Sequence, residues 1–321
     1  LSHSRKWIFL VFKAGIASLT LFLVIQKVHF KEILNALQNP YRMEYIVFAG
    51  LLLIPNVLLQ WYRWHMLLKL INPNVPKMES LSSLLGGMTL AFVTPGRLGE
   101  MGRILFLQKE DRLQAFGLLV IDKLYALAPV IIIGVWGIGL LVSYLFDYVI
   151  FVVVSFVAIA LVISLILFLL IWHPSWIRTL FYQVSLLFPV REKFKRILEA
   201  LHPFTPHQAR VLAVLSFLLY GIYIFQFCLL TMAFQPIVWT TALTATTSTF
   251  FVKTLLPIAI ADLGIREGAA VYFFTRFHVD KASAFNGSLL LFLINILIPT
   301  VAGLLFFPRL GPRQNADIDN K

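Results

Sequence analysis

Apolar residues in this chain fall in long unbroken blocks rather than in the narrow stripe of a water-exposed helix. Six blocks are long enough to cross a hydrocarbon core, which takes about 20 residues at the helical rise. They cover residues 7–25, 45–70, 115–145, 149–171, 211–234 and 282–307. The block at 149–171 is 23 residues with two serines and no charge, whereas 115–145 is broken by Asp122-Lys123 and Pro129. Block 7–25 follows Arg5-Lys6 and leads into Gln26-Lys27 without the small residues of a cleavage site, so it is expected to persist as a first span. Residues 30–37 form a short amphipathic stretch expected to lie along the interface. Pro55 predicts a kink in the second block, and Trp61, Tyr62 and Trp64 predict interfacial anchors near its end.

Two further stretches fit neither span nor loop. Residues 78–94 are rich in Ser, Gly and Thr and stop at Pro95; residues 239–256 are rich in Thr and stop at Pro257. Each leads through a charged, Gly-containing turn into a short apolar piece, at 104–107 and 269–274. Pieces this short and polar more often enter a bilayer part way, packed within protein, than cross it. The pattern thus predicts an all-α polytopic membrane protein with about six transmembrane helices and two re-entrant helical hairpins.

Composition agrees. The chain has 321 residues, 60% of them hydrophobic and 13% charged, too few polar side chains to cover a soluble globule. The longest polar stretch, roughly 173–208, is shorter than a usual domain and leaves no room for a soluble catalytic unit within the sequence. Cys228 is the single cysteine, so no intrachain disulfide forms. The net charge of +12 would prompt a nucleic-acid reading in a soluble protein; here it is the charge of cytoplasmic loops facing anionic lipid, and nucleic acid is not expected as a partner. With the N-terminus inside and both hairpins returning to their own side, the cytoplasmic stretches carry 17 Lys/Arg and the external ones five, Lys27, Lys31, Arg42, Arg276 and Lys281. That asymmetry places both termini in the cytoplasm. Residues 173–210, with Arg178, Arg191, Lys193, Lys195 and Arg196, become a basic cytoplasmic connector.

The two halves echo one another. Pro95-Gly96-Arg97-Leu98-Gly99-Glu100-Met101-Gly102-Arg103 has a counterpart in Pro257 followed by Asp262-Leu263-Gly264-Ile265-Arg266-Glu267-Gly268. Each follows a small-polar segment and precedes a span opening in Ala-Phe, at Ala115-Phe116 and Ala284-Phe285. With the sidedness above, residues 45–146 and 211–307 read as an inverted repeat within a single membrane domain over 1–321. In secondary transporters that arrangement places a site near the bilayer midplane, built from broken helices.

These two motifs, in this order, resemble the signatures of the lysylphosphatidylglycerol synthase transmembrane-region family, and the resemblance runs from Trp7 to about Phe307. That family includes the lipid-flippase half of the bacterial multiple peptide resistance factor and standalone membrane proteins. The resemblance implies flippase-like architecture in a bacterial plasma membrane. It does not extend to aminoacyl transfer by a fused synthase domain. The chain departs from the family pattern at Ala261-Asp262, where a Gly-Gly pair is expected.

Charges within the apolar blocks are the candidate chemistry, since an ionisable side chain at depth is costly. Arg97, Glu100 and Arg103 are spaced by three, so a helix from Pro95 would stack them on one stripe, either as a phosphate-headgroup site or as a structural Arg–Glu–Arg ladder. Gly96, Gly99 and Gly102 share that spacing and permit close packing or headgroup access. Asp262, Arg266 and Glu267 form the matching set, with Asp262 and Arg266 one turn apart as a local pair. Lys253 lies in an otherwise neutral Thr-rich segment, and Asp122 needs a cation from elsewhere, a hairpin residue being the natural source. Lys13, Arg63 and His65 sit near block ends and are expected to anchor. His202 and His207 lack the company of a metal site, and no cofactor is expected. No hydrolase, zinc-protease or nucleotide-binding motif occurs. The leading expectation is a lipid flippase moving an anionic or zwitterionic (phospho)lipid, or a polyprenyl-phosphate-type lipid. The alternatives are a membrane-embedded transferase with Glu100 or Asp122 as general base, and a non-catalytic partner docking a separate lipid-modifying enzyme. A homo-oligomer is compatible with each.

Overall fold

The computed structural model describes residues 38, 40–92, 94, 96–108, 110–145, 150–173, 175–176, 179, 182–183, 199–256 and 264–306. The expected first span, the amphipathic stretch 30–37, Lys13, Pro257, Asp262 and most of the basic connector lie outside them.

Every regular element among the described residues is helical. Helices α1 (Met43–Leu51) and α2 (Leu53–Leu68) together make one apolar rod of 26 residues. They part at Leu52, three residues before Pro55, whose missing N–H leaves the carbonyl one turn back without its helical donor. There follow α3 (Lys77–Phe92), a 3-10 segment (Leu98–Phe106), α4 (Arg112–Leu145), α5 (Ile150–Trp172) and α6 (Pro206–Met232). Helices α7 (Trp239–Leu255) and α8 (Ile265–Thr275) precede the last rod. That rod joins α9 (Lys281–Phe292), a π-helical turn (Leu293–Leu297) and α10 (Ile298–Leu304). Five rods, Met43–Leu68, Arg112–Leu145, Ile150–Trp172, Pro206–Met232 and Lys281–Leu304, are long and apolar enough to span. The chain is an all-α polytopic membrane protein.

The two expected hairpins are present as packed pairs, α3 with the 3-10 segment and α7 with α8. Helices α3 and α7 hold 16 and 17 residues, a length of about 24–26 Å against a core of about 30 Å. Their polar composition is reconciled with burial inside the protein by local back-bonding. The hydroxyls of Thr244, Thr247, Thr249 and Thr254 each donate to the carbonyl four residues earlier. In α3, Ser83 donates across the hairpin to the Arg103 carbonyl at 2.8 Å, and Thr89 reaches the Thr300 carbonyl of α10 at 2.8 Å.

Each hairpin helix packs on the closing rod of the other half. Helix α7 lies on α4 and α3 lies on α10. Both contacts are backbone-close: a Cβ on Gly137 would overlap Thr247, and one on Gly303 would overlap Thr89 and the Leu85 carbonyl. Two large apolar cores result among the described residues, with a small third cluster at Phe292 and Ile296. Trp64, Leu67, Leu68, Leu118 and Tyr125 centre one on α2, α3 and α4; Phe227, Phe250, Phe274 and Phe285 centre the other on α6 to α9. Helix α5 stands at the edge, packed along one face on α4 and α6: 6% of its apolar stretch is buried against 56% for the last rod.

Candidate functional site

A cavity of about 200 Å³ lies among both hairpins and rods α2, α4, α6 and α9. Its walls include six cations, Arg63, Arg97, Arg103, Lys123, Lys253 and Arg266, against two carboxylates, Glu100 and Asp122. The volume is below the ~300–1,000 Å³ of a drug-sized pocket, so it fits a headgroup rather than a whole lipid.

The first hairpin builds the cationic wall. Gly96 (φ 59°) and Arg97 (φ 56°) both adopt left-handed backbone, and Arg97 caps the 3-10 segment rather than starting an α-helix at Pro95. With three residues per turn, side chains at i and i+3 eclipse, so Glu100 and Arg103 align more directly than α-helical spacing would allow. The turn is held where the Gly99 amide donates to Thr94 Oγ1 at 2.6 Å. Gly99 and Gly102 are pressed on Leu90 of α3, so their use is close packing and not access for a headgroup.

Two carboxylates organise the cations on this wall. Asp122 accepts from Arg63 Nη2 at 2.6 Å and from Arg103 Nη1 at 3.2 Å, and its carbonyl accepts from Arg63 at 2.9 Å. Glu100 forms an ion pair with Arg97 Nη2 at 2.5 Å, faces Arg103 Nη2 at 3.6 Å and pairs with Lys123. The Arg103 guanidinium also lies over the Trp64 ring, 4.8 Å from its centroid, and Trp64 donates to Ser83.

The second hairpin contributes Arg266. Its Nη2 pairs with Glu267 Oε1 at 2.5 Å and its Nε donates to Ser288 Oγ at 2.9 Å. Glu267 is fully buried behind it, and its other oxygen accepts from the Gly264 amide at 2.8 Å, closing the start of α8. Lys253 reaches the same cavity from the last turn of α7. The remaining wall is neutral and polar. Gln60, Tyr223 and Asn295 belong to an amide chain in which Gln60 donates to Asn56 at 2.6 Å and Asn295 to Gln226 at 3.0 Å. The π-helical turn carries Asn295 into that chain, as an extra residue per turn re-aims a side chain.

Of the residues singled out from sequence, Arg97, Glu100, Arg103, Asp122, Lys253 and Arg266 meet at this one cavity. Glu267 stands behind it, and Asp262 is outside the described residues. Two expectations need correction. Arg63 is not an interfacial anchor: its side chain is 3% exposed and holds Asp122. His65 is buried against Ser80, and Trp64 is fully buried, because this end of α2 faces α3 and α4. Arg266 pairs with the adjacent Glu267, and the expected Asp262–Arg266 pair lies outside the described residues. Sequence reasoning passed over Gln60, Arg63, Lys123 and Asn295 as site residues, although a polar side chain inside an apolar block is the signal that marks each. Among the described residues no group of three or more His, Cys, Asp and Glu is gathered as a metal site.

No curated protein matches the chain. A family model does, that of the lysylphosphatidylglycerol synthase TM region, over residues 10–303. The chain, matched over nearly its whole length, belongs to the lysylphosphatidylglycerol synthase transmembrane-region family.

Proposed function

We propose that this protein is a flippase-like transporter of the bacterial plasma membrane, with both termini cytoplasmic, that carries an anionic phosphate headgroup through the central cavity. The observation that carries this reading is the gathering of six cations with two carboxylates among the described lining residues, drawn from both hairpins, with Glu267 as a third carboxylate behind Arg266. Guanidinium groups present planar forks of donors to phosphate oxygens, and low dielectric strengthens the attraction. The volume admits the headgroup while the tails remain in the bilayer. The exchanged packing of α7 on α4 and α3 on α10 supports an inverted repeat over 45–146 and 211–307, whose two halves would alternate in opening to either side. The transferase alternative is less well supported, because Glu100 and Asp122 are both engaged by cations rather than poised as general bases.

The test is headgroup accessibility in vesicles of phosphatidylcholine holding a trace of labelled phosphatidylglycerol, with the purified full chain reconstituted. The reading expects label in both leaflets to become accessible. Arg103→Ala and Arg266→Ala should abolish this, and Lys253→Gln and Arg97→Gln, which leave the buried Arg63, Arg103 and Arg266 in place, should slow it about tenfold or more. Wild-type vesicles no faster than protein-free ones, or all four variants matching wild type, would refute it.

A further inference from the structure

Glu100 and Asp122 line the same cavity and both face cations, yet their surroundings differ. Asp122 is clamped by Arg63 and Arg103, whose side chains are only 3% and 5% exposed. Glu100 is held chiefly by Arg97 and Lys123, whose side chains are 23% and 40% exposed, while its distance to Arg103 is a long 3.6 Å. The partners of Asp122 belong to the packed interior, and those of Glu100 belong to the cavity surface. A carboxylate ion-paired with three cations around a cavity occupies the place a phosphate oxygen would take.

We infer that Glu100 is a built-in stand-in for the substrate's phosphate. It neutralises Arg97, Arg103 and Lys123 when the cavity is empty and is displaced when an anionic headgroup enters. This rests on the anionic-headgroup reading above and adds a role for one residue within it. The physical need is plain. Desolvated cations without a counter-charge are costly, so a site cationic enough to hold phosphate is penalised whenever it is vacant. Glu100 removes most of that penalty, and in doing so lowers the affinity for the headgroup, which favours release. The exchange trades one set of charge-assisted hydrogen bonds for another, with no proton transfer required. Glu100 is thus a competitor of the ligand rather than a contact to it. Asp122, locked by two buried arginines, is the fixed counter-ion that orients Arg103.

The two roles give opposite signs on substitution. Glu100→Gln keeps size and hydrogen-bonding capacity while removing the charge. Full-length protein in discs of phosphatidylcholine is titrated with inorganic phosphate and with short-chain phosphatidylglycerol. The variant should bind both about tenfold more tightly than wild type, equivalent to about 1.4 kcal/mol, with a steeper loss of affinity as salt rises. Equal or weaker binding by a variant that still unfolds in a single cooperative transition overturns the inference while leaving the headgroup site standing. If neither protein binds either anion in preference to short-chain phosphatidylcholine, the site and the inference fall together. A readout on the unaltered chain guards against a variant that does not fold. Labelling of Glu100 by a carboxyl-directed reagent, read by peptide mass spectrometry, should rise on adding phosphate as the side chain leaves its cations. Labelling that stays level or falls contradicts displacement.

Discussion

Replacing Asp122 by asparagine separates scaffold from cavity surface most sharply. Asp122 accepts from Arg63 at 2.6 Å and Arg103 at 3.2 Å, and both guanidinium groups are nearly sealed from solvent. Asparagine is isosteric but neutral, so two buried cations lose their counter-charge while Arg103 retains only the distant Glu100 at 3.6 Å. Removing one partner from a buried pair costs about 3–5 kcal/mol. At roughly 2 °C per kcal/mol for a large domain, the melting temperature should fall by about 6–10 °C. Glu100→Gln is the control. Its partners Arg97 and Lys123 are 23% and 40% exposed and can be partly rehydrated once the charge is gone, so its melting temperature should fall by about half as much or less. The assay is thermal unfolding of both purified variants in one detergent, followed by intrinsic tryptophan fluorescence, since Trp64 lies against Arg103. Asp122→Asn within 2 °C of wild type, or Glu100→Gln losing as much as Asp122→Asn, would refute the division of labour between the two carboxylates.

Further outcomes follow from packing and topology. Asn295→Leu should cost about 1–3 kcal/mol in thermal or chemical unfolding, because Asn56 and Gln226 each lose a partner inside the protein; unchanged stability would show that the amide chain is not holding the π-helical turn. Gly137→Leu should destabilise the protein by at least about 1–3 kcal/mol, since the side chain collides with Thr247 where α7 lies on α4, whereas Gly221→Leu, with open space at its Cβ, should be tolerated. Reporters inserted near Arg112 and Gln183 should read cytoplasmic and one near Lys281 external; an external signal at Arg112 would remove the re-entrant hairpin and with it the inverted repeat.

The spans were legible because a bilayer demands a length of apolar chain that few other structures produce, and the five rods fall within a few residues of their blocks. The hairpins were legible for the complementary reason: their Ser- and Thr-rich helices are too short and too polar to cross. The charged motifs marked Arg97, Glu100, Arg103, Asp122, Lys253 and Arg266, which meet at one cavity. Helix type was not legible. Spacing by three fits an α-helix or a 3-10 segment, and the left-handed pair at Gly96 and Arg97 decides for the second. Nor was the role of Arg63. Hydropathy puts it near the end of a block, where snorkelling is the ordinary outcome, and only the packing of α2 against α4 turns it inward onto Asp122. Pairing was hardest to read. The pairing of Arg266 with its neighbour Glu267 goes with Glu267 also accepting from the Gly264 amide at the start of α8, a tertiary detail that helical periodicity does not carry.

The most direct measurement is of the lipid that the protein holds. The full chain is purified from its membrane in mild detergent, and the retained lipids are identified by mass spectrometry beside those of a Lys253→Gln, Arg97→Gln double variant prepared in the same way. The account predicts that wild type retains a phosphate-bearing anionic lipid well above its share of the membrane and that the double variant, folded by its melting curve, loses that enrichment. Retention in proportion to the bulk membrane, or equal retention by the double variant, would contradict the claim that the cationic cavity is a headgroup site.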